Sequence, residues 1–158
     1  MKQHGGKTES RFVPVVSGDC FRDYRFWVAL AFGPLVWLLL ATVVDLPITN
    51  AQGFTAVSLL SLILLYPVLE ELVFRGGVQG WFHSFAVARR SWLGISLSNL
   101  ATSLIFAALH FISQPPVWAA LVFFPSLVFG WARDRYQALT GSICLHVLYN
   151  AGVILLFG

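Results

Sequence analysis

FTAVSLLSLILLYPVLEELVF, residues 54–74, has the length and apolarity of a membrane-crossing helix, and only Glu70 and Glu71 break that character. A span needs roughly 20 apolar residues. An ionised side chain at its centre costs about 2.5–3.5 kcal/mol on insertion scales, so two adjacent carboxylates mark a functional site. Arg75 follows Glu71 by one helical turn and can pair with it. Pro67, three residues before Glu70, lacks an N–H and should loosen the helix, freeing a carbonyl near the carboxylates. Gly76 and Gly77 are expected to end the helix just past Arg75, which puts Glu70 roughly 7 Å inside that end.

The rest of the chain fits the same setting. Hydrophobic residues make up 58% and charged residues 11% of the sequence, against about a quarter charged in a soluble domain. Apolar runs cover about 26–44, 54–74, 93–113, 117–131 and 139–157. The run 117–131 is short and must extend toward Arg133, tilt, or enter without crossing. Lipid offers backbone groups no hydrogen bonds, so the runs must be helices. The expected fold is all-α, a polytopic transmembrane bundle of about five helices. Residues 1–24 read as a cytoplasmic N-terminal segment and 25–158 as a single membrane-embedded domain.

Charge sets an orientation. Lys2, Lys7, Arg11, Arg22 and Arg25 precede or open the first run; Arg75, Arg89 and Arg90 fall between the second and third. Arg133 and Arg135 fall between the fourth and fifth, while the 45–53 and 114–116 connections carry no basic residue. With five crossings all of them share one side, which the positive-inside rule makes cytoplasmic. The N-terminus is therefore expected inside and the C-terminus outside. The net charge of +3 suits contact with anionic lipid, and no nucleic-acid partner is expected. The first run is expected to remain as an uncleaved helix, because it is long for a signal and no clear cleavage site follows. Cys20 and Cys144 make no disulfide framework.

Further costly residues recur in the other runs. Phe106 and His110 are four apart and share a helix face, as do His146 and Asn150. An imidazole can deprotonate water, and an imidazole or amide N–H can donate to an oxyanion. Each residue alone also reads as an interhelix hydrogen bond or helix-end ion pair, but all of them together would each need a partner in lipid. His4 and His83 lie outside the apolar spans and read as solvated; Asp23, Asp45 and Asp134 fall at helix ends or loops. No H-E-x-x-H or G-x-S-x-G motif is present. A zinc site on Glu70, Glu71, His110 and His146 stays open as an alternative, since both donor types suit zinc; the expectation is no cofactor.

Glu70-Glu71-Leu-Val-Phe-Arg75 fits E-E-x-x-x-R, Phe106 to His110 fits F-x-x-x-H, and His146 to Asn150 fits H-x-x-x-N. In that order, on apolar runs, these motifs resemble the CPBP family of CAAX proteases and bacteriocin-processing enzymes, also called Abi. The resemblance covers about 69–151, the motif-bearing core, and makes 25–158 a protease domain. It implies an intramembrane endopeptidase of glutamic type, cutting a membrane-associated protein or peptide in C-terminal processing or in bacteriocin or sorting-tail maturation. By resemblance Glu70 and His110 activate water, His146 and Asn150 stabilise the oxyanion, and Glu71 with Arg75 supports the site. The short chain is similar to a minimal bacterial member, placing it in the inner membrane, and leaves its oligomeric state open. A non-catalytic scaffold such as a bacteriocin immunity protein is the alternative, and a proton-coupled transporter a third reading.

One geometric tension remains. A helix starting at Leu93 would carry His110 about 26 Å away from the side on which Glu70 and His146 lie. A late start is the way out, with residues 78–92 an amphipathic interfacial piece and Pro115-Pro116 a break at membrane depth. Polar residues from Asn99 to Ser103 and the Gly76-Gly77 break are expected to help unwind a substrate.

Overall fold

A computed structural model describes residues 15–43 and 55–157. Lys2, His4, Lys7, Arg11 and the 45–53 connection with Asp45 lie outside the described residues. The described chain is helical, as expected. After a 3-10 turn at Asp19–Arg22 come α1 (Tyr24–Val43), α2 (Ala56–His83), α3 (Leu97–His110), α4 (Pro116–Tyr136) and α5 (Thr140–Phe157). Three are long and apolar enough to cross a membrane: Tyr24–Thr42, Ala56–His83 and Pro116–Tyr136. α3 and α5 are shorter apolar helices. Two-residue strands β1 (Ser91–Trp92) and β2 (Ile95–Ser96) pair across a tight turn. Leu93 (φ 51°) and Gly94 (φ 82°) supply the positive φ values that such a turn requires.

α2 is where sequence expectation and structure part. Gly76 and Gly77 do not end it; the helix runs on through widened π turns at Leu72–Val78 to His83. Glycine's helix penalty is outweighed where no water competes for backbone groups. Glu70 consequently lies thirteen residues, about 20 Å, from the end of α2 rather than near it. Residues 79–83 are the last turn of α2, so 78–92 is no separate amphipathic piece. A second π turn, Ser61–Leu65, ends two residues before Pro67. Such a bulge is a recognised way to take a proline into a helix without a break. Pro125 acts comparably in α4, where the helical pattern lapses for one residue at Val122.

α3 begins late, at Leu97, with the Ser96 hydroxyl accepting from the Asn99 N–H at 3.0 Å. His110 is then its last residue, which removes the tension over depth. The run 117–131 extends to Tyr136, as its shortness required. At one end, Asp23 accepts from Arg135 at 2.6 Å, joining the start of α1 to the end of α4. The Ser96 hydroxyl donates to Asp134 at 2.5 Å, bringing the start of α3 to the same end.

The packing has the sense of a membrane bundle. Leu35, Leu39, Leu64, Val73, Leu104 and Phe124 are exposed, while Glu71, Arg75, Gln79, Asn99, Ser103 and Ser126 are fully buried. Without a hydrophobic drive between helices, small residues and internal hydrogen bonds hold such bundles together. Gly130 of α4 lies so close to Asn99 of α3 that a Cβ would overlap the amide, and Asn99 donates to Leu127 O at 2.9 Å. Thr102 donates to Ser98 O and Ser103 to Asn99 Oδ1. The Asn99–Ser103 polar face is thus buried and hydrogen-bonded between and within helices.

Candidate active site

Four helices converge on His146. α5 presents its ring with Nδ1 2.9 Å from Glu71 Oε1 and Nε2 3.5 Å from Glu70 Oε2, both carboxylates coming from the centre of α2. Phe129 of α4 stacks on the imidazole at 4.5 Å and 19°. Phe106 of α3 meets its edge at 6.0 Å. Phe106 also packs on the His110 ring at 4.4 Å and on Phe74 at 5.0 Å. One aromatic side chain therefore carries both histidines, which accounts for the Phe of F-x-x-x-H.

Protons can be assigned from partners. Glu71 Oε2 faces Arg75 Nε at 3.3 Å, and both side chains are 0% exposed. A carboxylate beside a guanidinium that is always charged is ionised and only accepts, so His146 Nδ1 carries a hydrogen and Nε2 faces Glu70. His110 Nδ1 is 2.8 Å from Phe106 O. A carbonyl can only accept, so this nitrogen donates. His110 and His146 both lie within electrostatic reach of Glu70. Glu70 is the accessible member, with 32% of its side chain exposed against 6% for His146 and none for Glu71.

Arg75 is held by residues that no motif flagged. Its Nη2 donates to Ser126 O at 2.8 Å and Ser126 Oγ at 2.6 Å, and Nη1 donates to Gln79 Oε1 at 3.2 Å. Gln79 in turn donates to Gly130 O at 3.0 Å and Asp134 Oδ1 at 2.8 Å. Asp134 also accepts from Ser96 and from Arg133 Nη1, so it belongs to this network although the sequence placed it merely at a helix end. Gln79 stands one turn after Arg75, and Ser126 is a lone hydroxyl in an apolar run. Those are the signals from which they were findable.

Asn150 sits one turn after His146, yet its Nδ2 donates to Leu62 O of α2 at 3.1 Å. The reason lies in Pro67. Tyr66 N–H reaches Ser61 O in the π register, and the next donor in that register, for Leu62 O, would be residue 67. Proline has none, so Asn150 fills the carbonyl that Pro67 leaves free. The freed carbonyl read from the sequence exists, and a site residue occupies it.

Glu70, Glu71, Arg75, His110 and His146 are thus brought together, and Asn150 adjoins them through α2. For the zinc alternative, no group of three or more His, Cys, Asp or Glu side chains among the described residues is arranged to hold a metal ion. Both ring nitrogens of His146 already face carboxylates.

No curated protein and no solved structure matches the chain. A family model, type II CAAX prenyl endopeptidase Rce1-like, matches residues 51–152 and so spans α2 to α5 with every residue of the cluster. By that match this integral membrane chain belongs to the Rce1-like family of type II CAAX prenyl endopeptidases, a family of proteases.

Proposed function

We propose that the chain is an intramembrane endopeptidase of glutamic type that uses a water molecule as nucleophile. The observation that carries this reading is the clamp on His146, with one ring nitrogen on a buried, Arg75-paired carboxylate and the other on an accessible one. Buried Glu71 fixes the ring's orientation and leaves Glu70 as the group that can meet substrate and water. Glu70, with His110 within electrostatic reach, accepts a proton from water as the oxygen attacks the scissile carbonyl. His146, held between the two carboxylates with a hydrogen on each ring nitrogen, donates Nε2–H to the developing oxyanion, joined by the Asn150 N–H not used on Leu62. The proton held by Glu70 passes to the leaving amine, and the peptide C–N bond breaks. No step requires a metal.

The substrate class is a membrane-associated protein or peptide, cut in C-terminal processing or in bacteriocin or sorting-tail maturation. We place the chain in a bacterial inner membrane, in one domain over 25–158. Gathering of Arg22, Arg25, Arg89, Arg90, Arg133 and Arg135 near the joined ends of α1, α3 and α4 supports a cytoplasmic location for that end. The test compares protein termini in membrane and secreted fractions of host cells carrying wild type or Glu70→Gln at matched levels. Precursors uncut only in the variant support the proposal and name the substrate. Identical termini under conditions where the protein has a phenotype favour a scaffold.

A further inference from the structure

Away from the catalytic cluster, α1 and α4 enclose an apolar groove with a cation at one end. Its upper part, about 380 Å³, is lined by Val28, Leu93, Ile95, Leu127 and Trp131, with Arg25 and Tyr24 at the mouth. Its lower part, about 280 Å³, runs between Val36, Trp37, Leu40, Leu121 and Phe124. Phe32 and Val128 line both parts, so the two adjoin end to end along α1. From Arg25 to Leu40 they follow α1 for fifteen residues, about 22 Å. One leaflet of a bilayer with a hydrocarbon core of about 30 Å is shallower than that.

Among the described residues Arg25 is the only charged side chain lining the groove. Its guanidinium lies over the Tyr24 ring at 5.4 Å and has no carboxylate partner among the described residues. Asp23, the nearby carboxylate, is taken by Arg135 at 2.6 Å and by the Tyr136 hydroxyl. An unpaired cation and two amphipathic aromatics, Tyr24 and Trp131, at the basic end of a leaflet-deep apolar channel complement an anionic headgroup with a hydrocarbon tail.

We propose that this groove binds one acyl chain of an anionic phospholipid, with the phosphate on Arg25. The site bears on the catalytic cluster from behind. Tyr149 lines the lower groove, donates to Ala29 O, and packs at 5.5 Å on Phe129, the ring that stacks on His146.

The test is native mass spectrometry of the detergent-solubilised full chain titrated with phosphatidylglycerol or phosphatidylcholine. Variants are Arg25→Gln, at an exposed position, and Val128→Phe, which fills the groove where its parts join. The wild type should retain phosphatidylglycerol in preference to phosphatidylcholine. Arg25→Gln should weaken phosphatidylglycerol about fivefold and leave phosphatidylcholine unchanged. Val128→Phe, with its melting temperature checked, should weaken both. Equal retention of the two lipids by wild type, no effect of Arg25→Gln, or a second copy of the chain excluding lipid would each overturn the proposal. Because the readout is binding, it stands or falls separately from the protease reading.

Discussion

Asn150→Ala should destabilise the fold only as long as Pro67 is present. With the amide gone, Leu62 O has neither a helical donor nor water, and an unsatisfied buried acceptor costs about 1–3 kcal/mol. Interhelical hydrogen bonds in membranes average nearer 0.6 kcal/mol, because the unfolded reference also finds partners. Between these limits the expected loss is about 1–2 kcal/mol. Pro67→Ala supplies the missing N–H: residue 67 reaches Leu62 in the π register, or Tyr66 does so if the helix relaxes to α. In that background Asn150→Ala should cost about 1 kcal/mol less. The double-mutant cycle cancels whatever Pro67→Ala does by itself, including loss of a buried ring. Unfolding in mixed micelles, titrated with dodecyl sulfate and followed by circular dichroism, measures all four corners. Equal Asn150→Ala costs in the two backgrounds would refute the assignment of Asn150 to the carbonyl freed by Pro67.

Further outcomes follow from the same contacts. Glu71→Gln removes the charge and one of the two accepting oxygens that face Arg75 and His146, and leaves a buried guanidinium short of its carboxylate. Breaking such a pair costs about 3–5 kcal/mol, which dodecyl sulfate titration should register as a large drop in midpoint. Gly130→Ala drives a methyl group into the Asn99 amide, so it should lower the melting temperature sharply, whereas Gly18→Ala, with open space around it, should change it little. The Arg25 backbone N–H, and then Arg135, hold the Asp23 carboxyl below the usual aspartate range. Its stabilising contribution is therefore complete above the unfolded value and fades as pH falls through the folded one. Asp23→Asn should remove this acid dependence from the melting curve.

What was legible in the sequence had a chemical cost attached to it. Carboxylates and histidines in apolar runs are expensive, so Glu70, Glu71, His110 and His146 declared themselves, and Pro67 announced a free carbonyl. The late start of α3 was readable from Ser96, a capping residue ahead of an apolar run. Gly76 and Gly77 misled because their helix-breaking tendency is a property measured in water. The π turns flanking Tyr66–Glu71 have no sequence signature of their own. The support of Arg75 by Ser126 joins residues 51 positions apart, and that of Gln79 by Asp134 joins residues 55 apart. Spacing within one helix cannot report such pairings. The hydrogen bond from Asn99 to Leu127 O is another case, since amides in a membrane bundle hold helices together through partners that spacing does not show.

The most direct test of the central claim places the purified chain in vesicles, with a substrate identified from the host-cell comparison, in water enriched in oxygen-18. Wild type should cut at the bond used in cells and leave one labelled oxygen in the new carboxylate, while Glu70→Gln should leave the substrate intact. Failure of the purified wild type to cut, or cleavage by Glu70→Gln at the wild-type rate, would contradict the account.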